Sequence, residues 1–152
     1  MPIKSNFLNF ADKGLQIAGN VNTVWNILTD NVGRERTWQF KFRFSGGKAI
    51  HCSFNEKGHI CRATLTPEGY MLKGEKVKND PEDRAVTVGQ VQQKFAPGKW
   101  HTMQIEVAGN EFVAQVDDGP IAFGADQKIG RPKTNFGFPM SGTYSEIDDI
   151  KI

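Results

Sequence analysis

A chain of 152 residues, 38% hydrophobic and 11% aromatic, is long enough for a single domain built on a two-layer core. Its 19 basic and 17 acidic residues leave a net charge of +2, too little for the electrostatic footprint of a nucleic-acid binder. No apolar run approaches the length of a membrane span, so neither nucleic acid nor a bilayer is an expected partner.

The first residues, Met1-Pro2-Ile3-Lys4, lack the apolar stretch of a secretory signal, which leaves a cytoplasmic chain or a mature segment given a start methionine. Sixteen Gly and seven Pro point to many short elements joined by turns. Short strands are expected at 15–18 and 24–28. Over 37–44 the pattern is clearer: Trp38, Phe40, Phe42 and Phe44 alternate with Gln39, Lys41 and Arg43, the period of a half-buried strand. Gly46-Gly47 ends it, and Ile50, Cys52 and Phe54 begin another. Residues 55–58 form the next turn, leading into a strand over 59–65.

In that hairpin a three-residue loop staggers Cys52 and Cys61, whereas a four-residue loop sets them opposite each other. The pattern favours the second register, with Ile50, Cys52, Phe54, Cys61, Ala63 and Leu65 on one face and His51, Ser53, Arg62 and Thr64 on the other. Two buried thiols or a cross-strand disulfide both remain open. The Cys-x8-Cys spacing with its nearby histidines does not match a structural zinc site.

After a short strand at 70–72, residues 73–84 read as an exposed, charged loop. Only 83–95 has helical spacing, and its β-branched residues and Gly89 argue against a helix. The strongest segment is 100–123. Met103, Ile105 and Val107 alternate with Thr102, Gln104 and Glu106, and Gly109-Asn110 makes a two-residue hairpin turn. Across it, Val107 faces Phe112, Ile105 faces Ala114 and Met103 faces Val116. A second turn at Asp118-Gly119 then predicts Val116 opposite Ile121 and Ala114 opposite Phe123, all on one oily face. Strands at 134–138 and 146–152 complete about ten, the pattern of an all-β antiparallel sandwich occupying residues 1–152.

The polar faces carry the candidate binding residues Lys41, Arg43, His51, Arg62, Gln104, Glu106 and Gln115. If they share one sheet, they form a groove of mixed donors and acceptors suited to a hydroxyl-rich ligand. A plain solvated sheet face produces the same alternation. Trp100 is the candidate stacking platform, since its parity points it away from the core, although an irregularity after Pro97-Gly98 would turn it inward. His59 and His101 read as isolated surface histidines without a partner. Glu146 and Asp148 share a strand face about 7 Å apart, against the ~5 Å of a retaining glycosidase pair. They are expected on an exposed edge, with calcium as the one cofactor a carboxylate there would serve. No catalytic residue, phosphate loop or paired metal-binding histidines can be assigned.

The stretch Pro97-Gly98-Lys99-Trp100-His101-Thr102, with Ile105-Glu106-Val107-Ala108-Gly109-Asn110 and Val116-Asp117-Asp118-Gly119, resembles the later half of concanavalin-A-like jelly rolls. Lys133-Thr134-Asn135-Phe136-Gly137-Phe138 and Ile147-Asp148-Asp149-Ile150-Lys151-Ile152 continue the likeness, as does Gly58-His59-Ile60-Cys61-Arg62. Over roughly 37–152 the chain is most similar to the bacterial keto-disaccharide hydrolase domains and their planctomycete-type relatives. That resemblance implies a two-sheet jelly-roll sandwich of the lectin and glucanase kind, a carbohydrate partner, and a secreted or periplasmic setting. Laminarinase-type glucanases carry a Glu-x-Asp-x-x-Glu row, which Glu146 and Asp148 copy in part. Lys151 takes the last place, so that activity is not carried over. The leading expectation is a non-catalytic carbohydrate-binding module. The alternatives are a hydrolase or lyase using His51 or His59 with Glu106, and a domain that binds another protein through a sheet face or the 73–84 loop.

Overall fold

The computed structural model of the chain describes residues 8–11, 14–18, 26–28 and 36–151, with side chains from Trp38 onward. Its strands are β1 (Leu8–Ala11), β2 (Gly14–Ala18), β3 (Asn26–Leu28), β4 (Arg36–Phe44), β5 (Gly47–Asn55), β6 (His59–Thr66) and β7 (Gly69–Gly74). They continue with β8 (Val86–Gln92), β9 (His101–Ala108), β10 (Glu111–Val116), β11 (Ile121–Ala125), β12 (Asn135–Gly137), β13 (Met140–Gly142) and β14 (Tyr144–Lys151). One 3-10 turn, Gln127–Gly130, sits between β11 and β12. No helix among the described residues is long and apolar enough to cross a membrane.

Two antiparallel sheets result. The first runs β1-β2-β14-β4-β9-β10-β11 and the second β3-β12-β5-β6-β7-β8, with β13 also on β5. The segment 83–95 carries strand β8, as its β-branched residues required. Alternation explains the core between the sheets: Trp38, Phe40, Phe42 and Phe44 of β4 are all at most 2% exposed. They meet Phe54, Phe136 and Phe138 from the second sheet, with the Trp38 and Phe136 rings stacked at 4.2 Å. Burying each such side chain is worth about 1.5–3 kcal/mol.

Between β9 and β10 the predicted pairs are all present: Val107 with Phe112, Ile105 with Ala114, Met103 with Val116. Gly109 has φ +57, the positive value such a two-residue turn asks of its first residue.

The next hairpin corrects the sequence reading. Gln115 pairs with Ile121, Ala114 with Ala122 and Val113 with Phe123, one residue from the expected register. A slip of one reverses every side chain. Ile121 and Phe123 therefore face water, 61% and 57% exposed, while Ala122 is buried. Space decides it. Here β11 lies against β8 of the other sheet, and a Cβ on Gly124 would stand 2.1 Å from the Val88 carbonyl oxygen. A Cβ on Gly89 would meet the Phe123 nitrogen at 3.2 Å. Only small inward residues let this seam close. Phe123→Ser is accordingly expected to change stability by less than about 0.5 kcal/mol. Ala122→Leu should cost about 1–3 kcal/mol by overpacking. Urea denaturation of the two variants checks the register, and a reversed ranking would refute it.

The cysteine hairpin also departs from the preferred register. Cys52 pairs with Ala63 and Cys61 with Phe54, and the register shifts between Phe54 and Asn55 at the hairpin end. The expected division of faces survives, since the shift is two residues. Both thiols are free and buried, and burial pushes Cys61 up to about 12.

Strand β14 is not an exposed edge. It lies between β2 and β4, and Glu146 is only 3% exposed. A terminal strand can insert between earlier ones, which chain order alone does not reveal.

Candidate functional site

The sandwich has two outer faces, and the expected binding residues divide between them. Lys41 and Arg43 on β4, Gln104 and Glu106 on β9 and Gln115 on β10 belong to the first sheet, with Trp100 just before β9. His51 on β5 and Arg62 on β6 belong to the second. The single groove envisaged from all eight residues is therefore not assembled.

On the first sheet, Glu146 pairs with Arg43 and accepts a hydrogen bond from the Tyr144 hydroxyl at 2.5 Å. Burial alone would raise the Glu146 carboxyl, but bonds from Arg43 and Tyr144 and the Arg43 charge hold it below its ordinary value. The Arg43 guanidinium carbon also lies 4.6 Å from the centre of the Trp100 ring. Trp100 points outward as its parity required, 38% exposed, with its ring engaged by that cation. Lys41 lies 3.6 Å from Asp149. Gln104, Glu106, Val113, Gln115 and Ile121 line a shallow depression of about 190 Å³ further along.

His101 is not a surface histidine. It shares the inward parity of Met103, is 6% exposed and packs on Phe95 at 4.8 Å. Its Nδ1 lies 2.7 Å from an Asp117 oxygen, and Asp117 also accepts the Thr102 N–H. That arrangement anchors the hairpin tip.

The second sheet carries a more connected polar face. Register places His51 opposite Thr64 and Ser53 opposite Arg62, while Asn55 pairs with both His59 and Asn135. His51 Nδ1 and Thr64 Oγ1 are 2.9 Å apart. His59 Nδ1 donates to Asn55 Oδ1 at 2.7 Å, which leaves its Nε2 as an acceptor. Asn55 in turn donates to Asn135 Oδ1 at 3.0 Å. The Arg62 Nε and Nη2 both donate to Glu75 Oε1, at 2.9 and 2.7 Å. Ser53, in the same row, is wholly buried and its hydroxyl has no hydrogen-bond partner among the described residues. Such an array offers fixed donors and acceptors of both kinds.

Sequence reading found His51, Arg62 and the outward Thr64. It missed Asn55, assigned to the turn, and Asn135 and Glu75, which arrive from β12 and from beyond β7. The alternation 51, 53, 55 was the available signal for Asn55. Among the described residues no group of three or more His, Cys, Asp or Glu is placed to hold a metal ion.

Burial, then the charges of Arg62 and His59, push His51 down to about 4, and burial and Arg62 lower His59 in the same direction. His51 therefore stays neutral across the physiological range. In the unfolded chain it titrates near 6.5, so the folded state binds fewer protons between that value and about 4. Stability is expected to fall as pH drops through this window, by about 1–2 kcal/mol after allowance for partial exposure. Urea denaturation across that range should show the slope, and His51→Gln should reduce it. An unchanged slope in the variant would assign it elsewhere.

The fold is that of a jelly-roll β-sandwich, the class to which known carbohydrate-binding modules and galectins conform. The carbohydrate-binding module CBM66 of Bacillus subtilis superposes with a TM-score of 0.72 at 15% identity, covering 98% of each chain. A galectin of Caenorhabditis elegans gives 0.62 at 10% identity, covering 99% of this chain and all of its own. Congerin II, solved with lactose and MES, gives 0.59 at 6% identity over 85% of this chain and 98% of its own. No protein-family model matches the sequence. No curated protein matches it either.

Proposed function

We propose that the chain is a carbohydrate-binding, lectin-like module whose ligand lies across the outer face of the second sheet. The observation that carries this reading is the cross-strand network of His51–Thr64, His59–Asn55–Asn135 and Arg62–Glu75. Seven side chains of neutral or mixed character are held in position by one another and keep further hydrogen-bonding capacity for sugar hydroxyls. The names of the structural neighbours, a carbohydrate-binding module and a congerin solved with lactose, support it. The secreted or periplasmic setting implied by the resemblance belongs to the same proposal.

The hydrolytic alternative, which the keto-disaccharide hydrolase resemblance would favour, needs His51 or His59 to work with Glu106. Those residues lie on opposite outer faces, so no one substrate reaches both. The carboxylate that acts electrostatically on both histidines is Glu75, and Arg62 holds it. Binding is the better reading.

A glycan array followed by calorimetry on any retained sugar tests it. His51→Ala and Arg62→Ala are each expected to weaken binding about tenfold or more, while Trp100→Ala stays within about twofold. Retention of no glycan would overturn the proposal. Loss in Trp100→Ala alone would move the site to the other sheet.

A further inference from the structure

We infer that the ligand of this face is an acidic saccharide, one whose uronate carboxylate or sulfate ester sits between Arg62 and Lys73. The inference rests on the carbohydrate reading and narrows its chemistry.

Arg62 on β6 and Lys73 on β7 are direct partners in register, and both point outward from strands whose alternate residues are buried. Two cations opposite each other across a strand pair repel, a destabilising arrangement. Only one of them is neutralised. Glu75 accepts both bonds from Arg62, whereas Lys73 has no ion-pair partner among the described residues. The surrounding array cannot supply the missing anion. His51 and Thr64 are next in the face, Ser53 and Thr87 flank the pair in its own row, and all of these are neutral at physiological pH. The positive charge is felt locally, since Arg62 and Lys73 both contribute to depressing His51. An anion between the two cations would relieve their repulsion and take charge-assisted hydrogen bonds from Lys73.

The same face gives room for the rest of a sugar chain. A groove of about 430 Å³ begins at Thr64 and Met71, beside this pair, and runs past Gln90 and Gln92 to Lys94. Glu68 is the one carboxylate along it, with Lys94 at the same end. Hydroxyls of Thr64 and Thr66 and amides of Gln90 and Gln92 are spaced along a lining that also offers the apolar Met71 and Val91, a mixture that suits a sugar, and the uncompensated cation stands at its head. Charge selects the ligand, and the groove accommodates its neighbours.

Calorimetric titration with three probes tests this: oligogalacturonides, sulfated galactan oligomers and the corresponding neutral galactan oligomers. At least one acidic set is expected to bind about tenfold more tightly than the neutral set at low salt. That preference should shrink as sodium chloride approaches molar concentration. Lys73→Gln should bring the ratio of acidic to neutral affinity close to unity. Preference for the first probe identifies a carboxylate ligand and for the second a sulfate. Equal or weaker binding of both acidic sets, or a preference that survives Lys73→Gln, overturns the inference and leaves the carbohydrate reading standing. Binding of no probe, together with no retention on the glycan array, overturns both.

Discussion

Replacing Phe136 by alanine is expected to lower the free energy of unfolding by about 3–5 kcal/mol. The ring is fully buried and sits where the sheets meet, stacked on Trp38 at 4.2 Å and against Phe54 and Phe138 at 4.8 Å each. It is also carried by a strand of only three residues, β12, which bridges β3 and β5. Little else in that strand can collapse into the void. The loss should appear as a lower urea midpoint with an unchanged slope. A cost below about 1 kcal/mol would show that this aromatic cluster does not pack as described.

Arg43→Ala is expected to cost about 2–4 kcal/mol at neutral pH, somewhat less than a fully buried pair because Arg43 is itself partly exposed. The reason lies in what remains: among the described residues, the Glu146 carboxylate, 3% exposed, keeps only Tyr144 as a donor. In the native protein its pKa lies below the ordinary carboxylate value, so its contribution is fully present above that value and fades as pH falls through the folded one. The penalty of the substitution is therefore largest at neutral pH. It should shrink at acid pH, once Glu146 is protonated and no longer needs the cation. Denaturation of both proteins at neutral and acid pH checks the sign. A penalty that grows on acidification would mean that Arg43 acts by packing on Trp100 instead.

The two-sheet fold was legible because most strands bury one face and turns separate them. β4 announced itself through four inward aromatics, and β9–β10 through a turn that fixed its register. Local pattern failed where a distant element decided the outcome. Ile121 and Phe123 look inward-facing until β8 fills the space beside them. Glu146 looks peripheral until β14 is found between β2 and β4. β1 and β13 are four and three residues long, too short to leave a period. The polar face was half legible for the same reason. Alternation located His51, Arg62 and Thr64, but their assignment to one sheet and those of Gln104 and Glu106 to the other depends on topology. Asn135 and Glu75 reach the network by long-range pairing, which no local spacing encodes.

The seam between β8 and β11 also bears on how the chain reaches its native state. Val88, Gly89, Ala122 and Gly124 select the register of β11, yet they come from strands on different sheets. Until those sheets dock, the β10–β11 hairpin has a competing pairing one residue away, with Ile121 and Phe123 turned inward. Local hydrophobicity favours that competitor. Its removal must await contacts between residues more than thirty positions apart, so correct pairing of this hairpin is a late event in folding and a natural point for kinetic trapping.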